Sequence, residues 1–263
     1  MEAAALLPMN LVIAGIIWSV ALGIAAGNYA CSLVHRLPRS LSILEKKPYC
    51  GSCGAMLQVK DLFPVFSALL LRHRCRYCGV PYPTSHTWTE VLIGLLFALC
   101  FLQYNFSEAY LLVATIGVFL ITLAAIDTNE GYLELRVLLV IVVSAMVWRT
   151  LQDHTIYGFF SGGFFGLMAG MFLWRGQVKR VNHIYSLPDG AKLFALAGLC
   201  LGAKGLVLFF GLFGFCLLIW TLWSKLRGAP RLTLTTPFAA AVMLPLLWPK
   251  LYLLLELGKL HHG

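Results

Sequence analysis

The chain has 263 residues, of which 60% are apolar and only 12% are charged, and its mean hydropathy is +0.82. This composition excludes an ordinary soluble globular domain and indicates a protein of the lipid bilayer. The net charge is +9, but the basic residues follow the loops rather than one stripe with aromatic side chains, which argues against nucleic-acid binding.

Apolar runs long enough to cross a bilayer recur along the whole chain. A span needs about 20 mostly apolar residues, and the sequence predicts an all-α polytopic membrane protein with about eight of them. The boundary between the sixth and seventh spans, near Gly202 to Gly205, is the least sharply defined. No signal-peptide cleavage pattern stands out, so the first span is expected to remain as an anchor. The predicted spans are 10–27, 88–103, 109–126, 137–151, 156–174, 191–202, 206–223 and 237–255.

The longest polar stretch separates the first two spans and divides the chain into three predicted domains. These are a first transmembrane helix (1–27), a polar domain (28–87) and a transmembrane core (88–263). Most of the 20 basic residues fall in the polar domain and in alternate loops after it. Because Lys and Arg accumulate in loops that stay cytoplasmic, we predict that the polar domain is cytoplasmic and that the N-terminus lies outside.

Four cysteines of the polar domain form two CxxCG repeats: Cys50, Cys53, Cys75 and Cys78. Disulfides are rare in the cytoplasm, so the repeats predict a structural zinc ion held by four thiolates. Gly54 and Gly79 allow the tight turn beneath each pair. A redox dithiol and unliganded structural thiols remain open alternatives, whereas four thiolates would leave no open position for a catalytic zinc.

Two of the 11 acidic residues meet the membrane at the ends of apolar runs. Asp127 directly follows the third run, and Asp189 opens the sixth just ahead of Lys192. Ionisable groups at membrane depth are costly and mark functional sites, and two carboxyls brought together share a proton and supply a general base and a general acid. The alternatives are that Asp189 is only a favoured helix N-terminal residue and that Asp127 lies at a helix-to-loop junction.

Several further motifs follow one another in a fixed order from residue 27 to residue 202. Together with the cysteine repeats, they resemble the type IV prepilin peptidase family, of which the chain looks like a divergent member. Glu90 falls where that family has a glutamate early in its second span, and Ile126-Asp127 is similar to its first aspartate motif. The remaining similar segments are Gly27-Asn28-Tyr29, His35-Arg36-Leu37-Pro38, Phe63-Pro64-Val65, Ser67 to Arg72, Asp189-Gly-Ala-Lys192-Leu193 and Ala195 to Gly198.

This resemblance implies an aspartic endopeptidase of the bacterial inner membrane that removes the basic leader of type IV prepilins or pseudopilins at the cytoplasmic face. Asp127 and Asp189 would be its catalytic residues. The family also methylates the new N-terminus with S-adenosylmethionine, through a site whose residues this sequence does not identify. Glu130 and Glu134 would favour a basic leader, although the pattern slightly favours the alternative that they are two solvated loop carboxylates. The predicted supporting or substrate residues are Lys192, Glu90, Arg36, Glu130 and Glu134.

The sequence departs from the family pattern beside both aspartates. Ser186-Leu187-Pro188-Asp189 replaces the usual Gly-x-Gly-Asp, one extra residue separates Asp189 from Lys192, and Leu133-Glu134-Leu135 stands where Leu-Pro-Asp is usual. An inactive homologue therefore stays open. Two other classes also remain: a proton- or cation-coupled transporter, and a non-catalytic secretion or pilus assembly factor that docks through its zinc module. The sequence predicts neither the particular pilin nor the oligomeric state.

Overall fold

The computed structural model describes residues 8–42, 52–56, 74–81, 84–173, 189–227, 233–249 and 251. Over these residues the fold is all-helical, with one isolated bridge between Arg74 and Pro81 and no β-strand. The described helices are α1 (Met9–Arg36), α2 (Thr84–Tyr104), α3 (Glu108–Glu130), α4 (Leu135–Asp153), α5 (Tyr157–Leu173), α6 (Asp189–Arg227) and α7 (Thr235–Leu247).

Five of the described helices are long and apolar enough to cross a membrane, namely α1, α2, α3, α4 and α6. Helices α5 and α7 are also apolar but have only 17 and 13 residues. The predicted all-α membrane architecture is therefore confirmed in its class. Eight membrane crossings remain a prediction.

The chain divides into two compact units, Met1–Tyr110 and Leu111–Gly263. In the first unit, small residues at every fourth position of α1 pack against α2. A Cβ added to Gly23 would lie 2.7 Å from the Cα atom of Gly94, and one added to Gly27 would lie 2.8 Å from that of Glu90. A Cβ added to Gly15 would meet the ring of Phe101. Later positions of α1 therefore face earlier positions of α2, so the two helices run antiparallel. Glycine permits this backbone approach because it has no side chain.

In the second unit, a similar glycine series on α5 packs against the start of α6. Gly162 faces the backbone of Gly198, Gly166 faces the carbonyl of Phe194, and Gly170 faces Ala191. The pairing order is antiparallel, so residue 173 and residue 189 lie at the same end of this helix pair. Contacts that leave no room for a Cβ hold the beginning of α6 firmly against α5.

Helix α6 reverses direction at Gly202, close to the boundary expected from the sequence. Gly202 has φ 72° and ψ 174°, a conformation that only glycine adopts readily. The ring of Phe194 lies 5.5 Å from that of Phe210, whereas the same residues would be about 24 Å apart along an unbroken helix. The two arms of α6, residues 189–201 and 203–227, therefore fold back on each other. The guanidinium of Arg149 packs against the turn.

Candidate active site

Asp127 lies one turn before the end of α3, where a glycine terminates the helix. Gly131 has φ 80°, and its N–H donates a 2.9 Å hydrogen bond to the carbonyl of Asp127, the pattern of a left-handed helix cap. The side chain of Asp127 is half-buried. Its Oδ2 accepts a 2.7 Å hydrogen bond from the Thr235 hydroxyl at the start of α7. Helix α3 thus ends with a carboxyl group held by a second helix.

Asp189 is the first residue of α6 and carries its own cationic partner. The Nζ atom of Lys192 donates a 2.8 Å hydrogen bond to Oδ1 of Asp189. The side chains of Asp189 and Lys192 are 58% and 34% exposed, so the pair is in contact with water and adds little to stability. A carboxylate in the first turn of a helix is also favoured by the helix dipole.

The structure brings Asp127 and Asp189 close enough to interact electrostatically. Both belong to the second unit, one at the end of α3 and the other at the beginning of α6. Each of two neighbouring carboxylates makes ionisation of the other less favourable. Such a pair, half-buried on one side and exposed on the other, has the chemistry needed to deprotonate water and to protonate a leaving group.

An acidic turn follows Asp127. Glu134 lies 3.7 Å from the guanidinium of Arg136, and its side chain is only 13% exposed, whereas Glu130 is exposed. The pKa of Tyr132 is raised above its ordinary value by partial burial and by the negative charges of Glu134 and Glu130. The turn between α3 and α4 is therefore negative, and Glu134 is already engaged with Arg136.

Three of the four predicted zinc ligands come together in the first unit. The Sγ atoms of Cys53, Cys75 and Cys78 all lie within 4.8 Å of one another. Sulfurs bound at about 2.3 Å to one tetrahedral zinc are about 3.8 Å apart, so the cluster fits such an ion. Gly54 and Gly79 have φ values of 68° and 70°, as the predicted tight turns require. Cys50 lies outside the described residues.

The two predicted supporting residues of the first unit have different surroundings. Glu90 is 1% exposed, and its Oε2 atom has no hydrogen-bond partner among the described residues. Its backbone and side chain cover Gly27, and it interacts with Cys31. The Nη1 atom of Arg36 donates a 2.8 Å hydrogen bond to the carbonyl of Ser42, which ties down the end of α1.

Sequence reasoning missed one residue of the candidate site, Thr235. Its only local signal is a polar run, Thr233 to Thr236, at the start of an apolar helix. A threonine there is ordinarily interpreted as a helix cap. Pro188, the main departure from the family pattern, lies outside the described residues.

The family model of the bacterial peptidase A24 N-terminal domain matches residues 21–104. This region lies within the first unit and contains both CxxCG repeats and Glu90. No solved structure matches the chain.

Several curated relatives are named prepilin leader peptidase/N-methyltransferase. The Myxococcus xanthus protein is 32% identical over 43% of this chain and 34% of its own length. The Bacillus subtilis protein is 26% identical over 84% of this chain and 87% of its own length. The Neisseria gonorrhoeae protein is 28% identical over 64% of this chain and 59% of its own length. The match thus spans about a third of the Myxococcus relative and most of the Bacillus one.

The family resemblance noted in the sequence is therefore confirmed from two directions. A peptidase A24 domain covers the cysteine repeats, and the alignment with the Bacillus relative extends over most of the chain. These matches show that the chain is similar to type IV prepilin peptidases over most of its length.

Proposed function

We propose that this protein is an aspartic endopeptidase of the bacterial inner membrane that removes the basic leader of type IV prepilins or pseudopilins. The observation that carries the proposal is the electrostatic influence of Asp189 on Asp127, two residues far apart in the sequence. The names of the relatives supply the substrate class. The N-terminus would lie outside and the two carboxyls would face the cytoplasm.

In the proposed reaction Asp127 and Asp189 share one proton. The ionised carboxylate takes a proton from a water molecule as the water oxygen adds to the peptide carbonyl carbon. The protonated carboxyl then supplies a proton to the leaving amide nitrogen as the carbon–nitrogen bond breaks. No covalent intermediate forms with the protein. The exposure of Asp189 supports access of water to the pair.

Lys192 and the acidic turn would act through electrostatic interactions and would take no part in making or breaking bonds. The ammonium of Lys192 contacts Asp189 and would limit the repulsion between the two carboxyls. The negative charge around Tyr132 supports docking of a basic leader, because complementary charge raises the encounter rate and fixes orientation. Glu130, which is exposed, would contribute more than Glu134.

The cysteine cluster would hold a structural zinc ion. Cys53, Cys75 and Cys78, with Cys50 as the expected fourth ligand, fit a closed tetrahedral site whose role is to stabilise the fold around it. Methyl transfer from S-adenosylmethionine to the new N-terminus would be a second activity. It rests on the names of the relatives alone.

Leader removal in cells tests the proposal. A prepilin is co-expressed with the wild-type chain or with Asp127→Ala or Asp189→Ala, and leader removal is followed on a gel. Each substitution is expected to leave the leader attached. Glu108→Gln is a matched control, since Glu108 is an exposed carboxylate at the opposite end of α3. Normal cleavage by either aspartate variant would refute the assigned mechanism.

A further inference from the structure

The hydroxyl of Thr235 is used across the second unit rather than within its own helix. Thr235 is the first residue of α7 and is 2% exposed. No side-chain hydrogen bond caps α7 at Leu234, although a threonine at this end of a helix commonly satisfies a local N–H. The hydroxyl instead donates to Oδ2 of Asp127 at 2.7 Å. A buried donor is thus committed to a carboxylate on another helix.

This bond makes the two oxygens of Asp127 unequal. Oδ2 accepts the hydrogen bond of the threonine hydroxyl, so Oδ1 is the better placed oxygen to take a proton or to contact water. A hydrogen bond to a carboxylate favours its ionised form, whereas burial and a neighbouring negative charge disfavour it. Among the residues that the structure describes, the charged groups near the pair include Lys192, which is paired with Asp189, and Glu130, one turn along α3.

We propose that Thr235 is a positioning residue for Asp127, which it holds in one orientation and biases toward the ionised state of the shared-proton pair. This inference rests on the proposed peptidase function and adds a residue to it. The substrate need not touch Thr235. Because Thr235 acts through Asp127, its loss should slow the chemical step without weakening the binding of the leader.

Valine and serine substitutions separate the hydroxyl from the shape of the side chain. Thr235→Val keeps the branched shape but removes the donor, and Thr235→Ser keeps the donor. The full-length variants are assayed in detergent with a peptide carrying a basic leader followed by an apolar helix. Thr235→Val is expected to lower kcat about 10- to 100-fold, the range for losing a hydrogen bond to a charged group, with little change in KM.

The pH profile provides a second readout. Without the donor, ionised Asp127 is less favourable, so the acidic limb of the kcat profile should move to higher pH in Thr235→Val. Thr235→Ser should keep both kcat and the pH position of the acidic limb close to those of the wild type. Thr236→Val is a matched control, because the Thr236 hydroxyl lies 3.4 Å from that of Thr233 rather than against an aspartate. It should retain wild-type kinetics.

The possible results are distinguishable. If Thr235→Val keeps wild-type kcat and pH profile while Asp127→Asn is inactive, the inference is overturned and the peptidase function stands. If Asp127→Asn cleaves normally, the peptidase mechanism itself is overturned. Loss of folded protein is followed by the monodisperse yield of each variant. If Thr235→Ser loses as much yield and activity as Thr235→Val, keeping the hydroxyl gives no advantage and the inference is wrong.

Discussion

The two units of the chain hold their acidic residues in different ways. In the first unit Glu90 is enclosed between α1 and α2, at 1% exposure, and its Oε2 atom has no partner among the described residues. In the second unit Asp127 and Asp189 each have a polar partner, and Asp189 is 58% exposed. A group that acts on water and on a peptide needs access to both. The exposure of Asp189 meets this requirement, whereas Glu90 is closed to solvent.

The evidence for family and the evidence for chemistry also come from different units. The peptidase A24 domain matches residues 21–104, within the first unit. Asp127 and Asp189 lie in the second unit, where the support is the longer alignment with the Bacillus relative and the electrostatic influence of Asp189 on Asp127. A domain match therefore identifies the relatives without identifying the catalytic groups.

The largest expected effect is the difference in kcat between the aspartate variants and a Glu90 variant. Asp127→Asn and Asp189→Asn keep the side-chain shape but remove acid–base chemistry, so each should lower kcat for leader cleavage by about 10²- to 10⁴-fold. Glu90→Gln should retain kcat within a few fold. Steady-state kinetics in detergent measure all three. A Glu90→Gln enzyme as slow as the aspartate variants would erase the contrast between the units.

Metal content tests the cysteine cluster of the first unit. The purified wild-type chain is expected to contain about one zinc ion, and Cys75→Ser should lose it because one of the clustered thiolates is gone. Cys216→Ser is the control, since Cys216 lies on α6 and outside the cluster. Elemental analysis decides the matter. Full zinc occupancy in Cys75→Ser would show that Cys75 is not a ligand.

A helix-packing substitution in the first unit should change stability more than chemistry. Alanine at position 27 would bring a Cβ to 2.8 Å from the Cα of Glu90, whereas alanine at position 94 would meet its nearest neighbour at 3.4 Å. We expect Gly27→Ala to lower the free energy of unfolding by about 1–3 kcal/mol and Gly94→Ala to change it little. Thermal unfolding in detergent compares them. Equal Tm values would argue against close packing at Gly27.

The smallest expected effect concerns the acidic turn of the second unit. Changing both Glu130 and Glu134 to Lys should raise KM for a basic leader a few fold, and less at high salt, since exposed charges are screened. Glu108→Lys, at the far end of α3, should leave KM unchanged. If the double variant has the wild-type KM at both low and high salt, the acidic turn has no part in leader docking.

Sequence reasoning succeeded where a residue type has one dominant physical consequence. Apolar runs predicted the membrane helices, and the boundary expected between the sixth and seventh runs, near Gly202 to Gly205, coincides with the turn inside α6. The spacing of the cysteines predicted the cluster that Cys53, Cys75 and Cys78 form. These signals are local.

Helix ends and distant partners were harder to predict. Hydropathy ended the first span at residue 27, but α1 continues to Arg36, because a helix can extend into a polar segment without apolar side chains. The hydrogen bond between Thr235 and Asp127 joins residues 108 positions apart, and no motif in the neighbouring sequence predicts it. Such a contact depends on how the helices pack.

The most direct test of the central proposal is whether Asp127 and Asp189 act as one unit. Leader cleavage is measured for the wild type, Asp127→Asn, Asp189→Asn and the double variant. If the carboxyls share a proton, removing the second should cost little after the first is lost, so the double variant should be about as slow as the slower single one. Losses that multiply, or a single variant with wild-type activity, would contradict the shared-proton pair.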